Sequence, residues 1–141
     1  LICSFAKAMN SLSPNKNLKI LATSIEKELP FPDRTFDLVT MLAVLEHLEH
    51  PIEIMCEINR ILKDEGLLIL TVPSVWSQPV LEFLAFKIGI VNPEEISDHK
   101  LYYNKLLLDF IGKKSGFIME KHQYFQFWMN NFCIFKKCLN Q

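Results

Sequence analysis

Few side chains in this sequence are of a type and spacing to do chemistry. Glu46 and His47 are adjacent, and a carboxylate beside an imidazole at a strand-to-helix junction can reach one ligand. That pair suggests a divalent ion or a general base; the alternative is that His47 hydrogen-bonds at the start of a helix. Cys3, Cys56, Cys133 and Cys138 form no CxxC pair and have no His at finger spacing, so neither a structural zinc site nor a redox dithiol is expected. Reduced, buried thiols of a cytoplasmic protein are the reading, with Cys133 and Cys138 the one pair near enough in sequence to bridge. His99 follows Asp98, and its imidazole can take a proton or simply pair with that carboxylate or a carbonyl. Trp76, Phe83 and Phe86 suit either the wall of an apolar pocket or a core.

These groups need a scaffold, and the composition supplies one. In 141 residues, 50% hydrophobic and 22% charged with 11 Phe and only 4 Gly, a disordered or collagen-like chain is excluded. Fifteen basic residues against sixteen acidic ones include no basic block, so nucleic acid is not expected as a partner. The first residues lack the pattern of a signal peptide, and no run reaches transmembrane length.

Leu18 to Thr23 and Phe36 to Met41 read as short apolar strands, the second buried on both faces. Between them, Pro30 and Pro32 make LPFPD a stiff turn. Pro51 suits a first helical turn; Ile52, Met55, Ile58 and Leu62 recur at helical spacing, opposite Glu53, Glu57 and Arg60. Gly66 is expected to cap that helix before the strand Leu67 to Val72. Strand, helix, strand is a βαβ unit, and two continuously apolar parallel strands imply an α/β fold with a covered sheet. His50, just before Pro51, reads as an exposed substitute cap. Pro79 to Val91 reads as a mostly apolar helix. Asn104 caps another that carries Leu107, Phe110 and Ile111 and is closed by Gly116. Strands around Phe117 to Tyr124 and Phe132 to Lys136 finish the chain, with Asn130 and Asn131 in or near their connection. Ligands of open α/β sheets sit outside the carboxyl ends of the strands. The candidates on that rule are Thr23, Ser24 and Ile25, then Met41 to His47, then Pro73 to Gln78.

Three blocks in order, LPFPDRTFDLV, AVLEHLEHP and EINRILKDEGLLILTVPS, resemble class I S-adenosylmethionine-dependent methyltransferases of the small-molecule type. The resemblance runs from about Leu18 to the end and extends to DHKLYY and SGF. It implies an α/β, Rossmann-like, mostly parallel sheet with helices on both faces, strand order 3-2-1-4-5-7-6, and an antiparallel C-terminal strand. It also implies S-adenosylmethionine as methyl donor and a small-molecule acceptor. Thr23, Ser24 and Ile25 then align with residues that place a carboxylate on adenine; Ser24 offers a hydroxyl instead, which weakens that contact. The main chain at Met41 and Leu42 would touch the donor's methionine portion, or the two are core residues at a strand end. Some relatives bind a metal through ExxEH, but the first position here is Ala43, so no metal is expected. Residues 74–103 fall where the family builds its acceptor cover, which assigns Trp76, Phe83, Phe86 and Tyr102 to the acceptor and makes His99 the candidate base.

The family's glycine-rich donor turn is not found: Gly66, Gly89, Gly112 and Gly116 form no GxGxG, and all lie downstream of where it must occur. The chain is therefore expected to be a single, partial domain over residues 1–141, incomplete at its N-terminus and inactive alone. With strands 1 and 2 missing, an unpaired strand edge invites self-association. A degenerate, non-catalytic binding or scaffolding module is the alternative, motivated by Ser24, Ala43 and the absent glycines. A dinucleotide-dependent oxidoreductase shares the sheet type but is disfavoured by LPFPD and VLEH.

Overall fold

The computed structural model describes residues 28–77 and 102–139. In chain order these form β1 (Phe36–Leu42), a short 3-10 turn (Leu45–His47), α1 (Pro51–Ile61), β2 (Leu62–Pro73), α2 (Lys105–Lys114), β3 (Phe117–Phe125) and β4 (Asn130–Lys137). The expected strand at Leu18 to Thr23 and helix at Pro79 to Val91 lie outside the described residues.

The four strands make one mixed sheet in the order β1-β2-β4-β3. β1 and β2 run parallel, in register from Leu38 opposite Leu67 to Leu42 opposite Thr71. β4 is antiparallel to both β2 and β3. This order matches the 4-5-7-6 half of the expected sheet, including its antiparallel end. Among the described residues β1 has a strand partner on one side only.

Both described helices cover the same sheet face. Alternation along β4 turns Asn131, Cys133, Phe135 and Lys137 inward. Lys137 there reaches α1, and the Phe135 ring lies against Gly112 of α2. Met41, Leu45, Ile54, Met55, Ile58, Leu68, Leu70, Val72, Leu108, Phe117 and Phe135 form the core between the layers.

Several local expectations shift. The buried stripe of α1 is Ile54, Met55, Ile58 and Ile61, while Ile52 is partly exposed and Leu62 already starts β2. Gly66 does not cap the helix. The helix ends four residues earlier, where the buried Lys137 ammonium donates to the carbonyls of Asn59 at 2.8 Å and Leu62 at 2.7 Å. The left-handed residue in the following irregular stretch is Glu65, φ 61°. Gly66 is needed there because a Cβ would lie 2.8 Å from the Lys63 carbonyl. His50 occupies the N-cap position of α1 but its side chain makes no capping bond. Asn104 caps α2 as expected, accepting from the Leu107 amide at 2.9 Å, and Gly116 follows the helix at φ 78°. Phe110 faces solvent instead of the core, with the Lys114 ammonium 5.8 Å from its ring centre.

LPFPD is fastened to α1 by Arg60, whose guanidinium donates to the carbonyls of Leu29 and Phe31 and pairs with Asp33 and Glu57. Glu57 in turn accepts from the Leu29 amide, and its bond with Arg60 holds its carboxyl below the usual range. This clamp lies at the amino end of β1, away from the candidate rim.

Candidate functional site

Because β1 and β2 are parallel neighbours, the turns leaving them open onto one rim. The ladder runs one residue past β1, where the Ala43 amide donates to the Thr71 carbonyl at 3.0 Å. Ala43 then adopts φ 52°, a left-handed conformation costing an L residue roughly 1 kcal/mol, which swings the chain sharply into the 3-10 turn.

On the β2 side the exit is wired by buried polar groups. The Tyr103 amide donates to the Pro73 carbonyl at 3.2 Å, and the Val75 amide donates back to the Tyr103 carbonyl at 3.1 Å. The Tyr103 hydroxyl crosses to the β1 exit and donates to the Leu45 carbonyl at 3.1 Å. One fully buried tyrosine thus fixes the two turns relative to each other. The Asn131 amide nitrogen donates to the Tyr103 carbonyl at 3.0 Å, leaving its oxygen to accept from Nε2 of His122 at 2.8 Å. That arrangement assigns the proton on His122 to Nε2.

Glu46 is only 1% exposed, and its Oε2 has no hydrogen-bond partner. Desolvation raises its carboxyl above the usual range, opposed by its own amide and by His47. Tyr103 is pushed up to about 12 by burial and by Glu46. Among the described residues no group of three or more His, Cys, Asp or Glu is placed to hold a metal. Cys56, Cys133 and Cys138 are free thiols, and burial pushes Cys133 up to about 12. A shallow recess on the sheet face away from the helices, lined by Thr71, Lys121, Gln123, Phe125 and Phe132, brings no acid–base pair together.

Of the residues singled out in the sequence, Met41 is buried with its side chain in the core, so only its main chain can serve the rim. Leu42 is 58% exposed at the end of β1, and Trp76 is equally exposed just beyond β2. Tyr102 is partly buried beside Tyr103. Thr23, Ser24, Ile25, Phe83, Phe86 and His99 lie outside the described residues. Leu42 and Trp76 thus leave two large apolar side chains open at one rim. The sequence reading placed Ser74 among Pro73 to Gln78, Tyr103 at the end of the 74–103 cover and Asn131 near a strand connection, but not the bonds by which they join the turns. Their partners are 54, 58 and 28 residues away along the chain, respectively, so no local pattern marks them.

A methyltransferase-domain family matches residues 3–70. An uncharacterized protein of Methanocaldococcus jannaschii is 35% identical over 91 residues, 64% of this chain and 34% of that one. A ubiquinone/menaquinone biosynthesis C-methyltransferase of Laribacter hongkongensis is 37% identical over 70 residues, 48% and 29% of the two chains. The matches thus span about a third of these relatives' lengths. A SAM-dependent methyltransferase of Aquifex aeolicus superposes with a TM-score of 0.68 at 17% identity, covering 96% of this chain and 62% of that one. The last likeness is one of fold. Among the described residues no helix is long and apolar enough to cross a membrane.

Proposed function

We propose that this chain, whose residues 3–70 match a methyltransferase-domain family, forms the acceptor-side part of a class I S-adenosylmethionine-dependent site transferring a methyl group to a small molecule. The observation carrying this reading is the shared rim of β1 and β2, closed by the Ala43 bond to Thr71 and locked by Tyr103. A bound S-adenosylmethionine would supply a methyl group already activated on a sulfonium. The chain's own residues have to orient, cover and accept a proton.

In this assignment the main chain at Met41 and Leu42 holds the methionine portion, and Thr23, Ser24 and Ile25 face the adenine. Trp76, Phe83, Phe86 and Tyr102 wall the acceptor within the cover formed by residues 74–103. His99 takes the acceptor's proton as the new bond to carbon forms and the bond to sulfur breaks. Ser24 in place of a carboxylate and the lack of GxGxG make donor binding by these 141 residues alone weak. Ser24 equally suits a non-catalytic binding module, and the same measurement separates the two readings.

The test is calorimetry with S-adenosylmethionine on this chain and on one extended upstream by a strand and GxGxG turn from the same reading frame. Binding only by the extended chain supports the proposal. Tight, stoichiometric binding by the 141 residues alone removes the need for an upstream half. No binding by either leaves the non-catalytic module.

A further inference from the structure

We propose that Trp76, Phe127 and Trp128 form an aromatic ledge that binds the acceptor, and that the acceptor carries a neutral, flat ring system. The inference rests on the methyl-transfer reading for its name of acceptor, but the ledge itself rests on geometry. Ser74, fully buried at the end of β2, ties both tryptophans to one hydroxyl. The Trp76 amide donates to Ser74 Oγ at 3.2 Å, and that hydroxyl donates to the Trp128 carbonyl. The Ser74 amide also donates to the Met129 carbonyl at 2.8 Å. The β3–β4 turn is thereby bolted to the exit of β2, on the rim where the β1 turn also opens.

That turn is held in an unusual state. Gln126, Phe127 and Trp128 take φ of 51°, 55° and 69° in succession, a left-handed run that L side chains avoid and that no glycine relieves. Its result is display: Phe127 is 98% exposed, Trp128 65% and Trp76 58%. Strain kept in order to expose aromatic rings points to a ligand for them. Tyr124 stacks on Trp128 with centroids 6.0 Å apart and planes at 23°, which backs the indole and leaves it a surface open to solvent.

Charge selects the ligand. Residues 66–81 and 122–135, which carry the whole ledge, contain no Asp, Glu, Lys or Arg. Within these segments an anionic ligand meets no cation, and a cationic one no carboxylate to add to the rings' attraction. A neutral ring stacked on the indoles loses no charge solvation and gains planar contact.

The chain has two tryptophans, so its two indole N–H signals in a 15N-correlated spectrum report both sides of the ledge. The probe is 2-naphthol, which is neutral at pH 7; W76F and W128F assign the signals. Both signals should shift saturably with 2-naphthol and respond at least fivefold more weakly to cyclohexanol, which has no flat face. Phe127→Ala, at a solvent-exposed position, should weaken 2-naphthol binding about fivefold while the backbone spectrum is kept. Unshifted indoles, an equal response to cyclohexanol, or an unchanged affinity in Phe127→Ala overturns the ledge. Broadening of both signals by phosphatidylcholine vesicles, with no 2-naphthol shift, overturns it in favour of a lipid surface. Donor calorimetry on the chain extended upstream reads the other half: a ledge that binds where the extended chain has no donor affinity survives while the methyl-transfer reading fails, and the reverse result removes the ledge alone.

Discussion

Glu46 offers a direct test of how the rim is built. Its carboxyl is 1% exposed, one oxygen is unpartnered, and desolvation raises its pKa above the ordinary value near 4.5. A carboxyl that protonates more readily in the fold contributes fully to stability below the unfolded pKa. That contribution is lost as pH rises through the raised folded value. Glu46→Gln keeps the shape and removes the ionisation. The buried amide retains the cost of an unpartnered neutral polar group, so the gain is the excess cost of the charge. The Glu46 amide and His47 offset part of that excess. A net gain of about 1 kcal/mol at pH 8 follows from the usual 1–3 kcal/mol cost of a buried unsatisfied group, which is larger when charged. With a urea m-value of about 1–3 kcal/mol/M, the midpoint should rise by roughly 0.3–1 M at pH 8 and by nothing below pH 4.5. Urea melts of both proteins at pH 4, 6 and 8 give the comparison. A Gln variant less stable at pH 8, or a difference that ignores pH, means Glu46 is held as a paired anion and the account of the rim is wrong.

Two further perturbations probe the layers beneath the rim. Lys137→Met keeps the aliphatic stem but strips two charge-assisted bonds from the end of α1, and should cost about 2 kcal/mol in urea melts with faster amide exchange in the last turn of α1. An unchanged midpoint would show that water serves those carbonyls equally well. Gly112→Ala would put a Cβ 2.4 Å from Cε1 of Phe135, an overlap worth about 1–3 kcal/mol against roughly 1 kcal/mol of improved helix propensity. Phe135→Leu should suppress much of that loss, and a double-mutant cycle giving purely additive effects would refute the clash.

The sequence made the strands legible where burial is continuous. FDLVTM and LLILTV carry enough branched apolar residues to fix both the parallel pair and its rim, and Asn104 and Gly116 mark α2 because capping is local. Legibility failed where the partner is remote. The end of α1 was assigned to Gly66 because a glycine is the local stop signal, whereas the groups that satisfy the helix end arrive from Lys137, 78 and 75 residues beyond the two carbonyls. The stripe of α1 was misphased because Ile52 and Leu62 are apolar at helical spacing, yet the core takes Ile54 and Ile61. At the rim, Asn130 and Asn131 resemble loop residues, but Asn131 is a buried joint of β4 and the turn lies at Gln126 to Met129. Phe127 and Trp128 sit in that turn, where an apolar run gives no hint of left-handed display.

The rim joints that hold turns together are Tyr103, Ser74, Asn131 and His122, all engaged in hydrogen bonds that neutral side chains can make. Asn131 accepts from His122 and Glu46 is buried, so among the described residues these two rim groups are spent on structure instead of facing a substrate. A site for hydrolysis or for abstracting a carbon-bound proton would need an acid–base pair held open at that rim. Methyl transfer demands less, because the activated carbon arrives on the donor and the protein must chiefly align two reactants and exclude water. A rim whose turns are held together by main-chain and side-chain hydrogen bonds suits that demand.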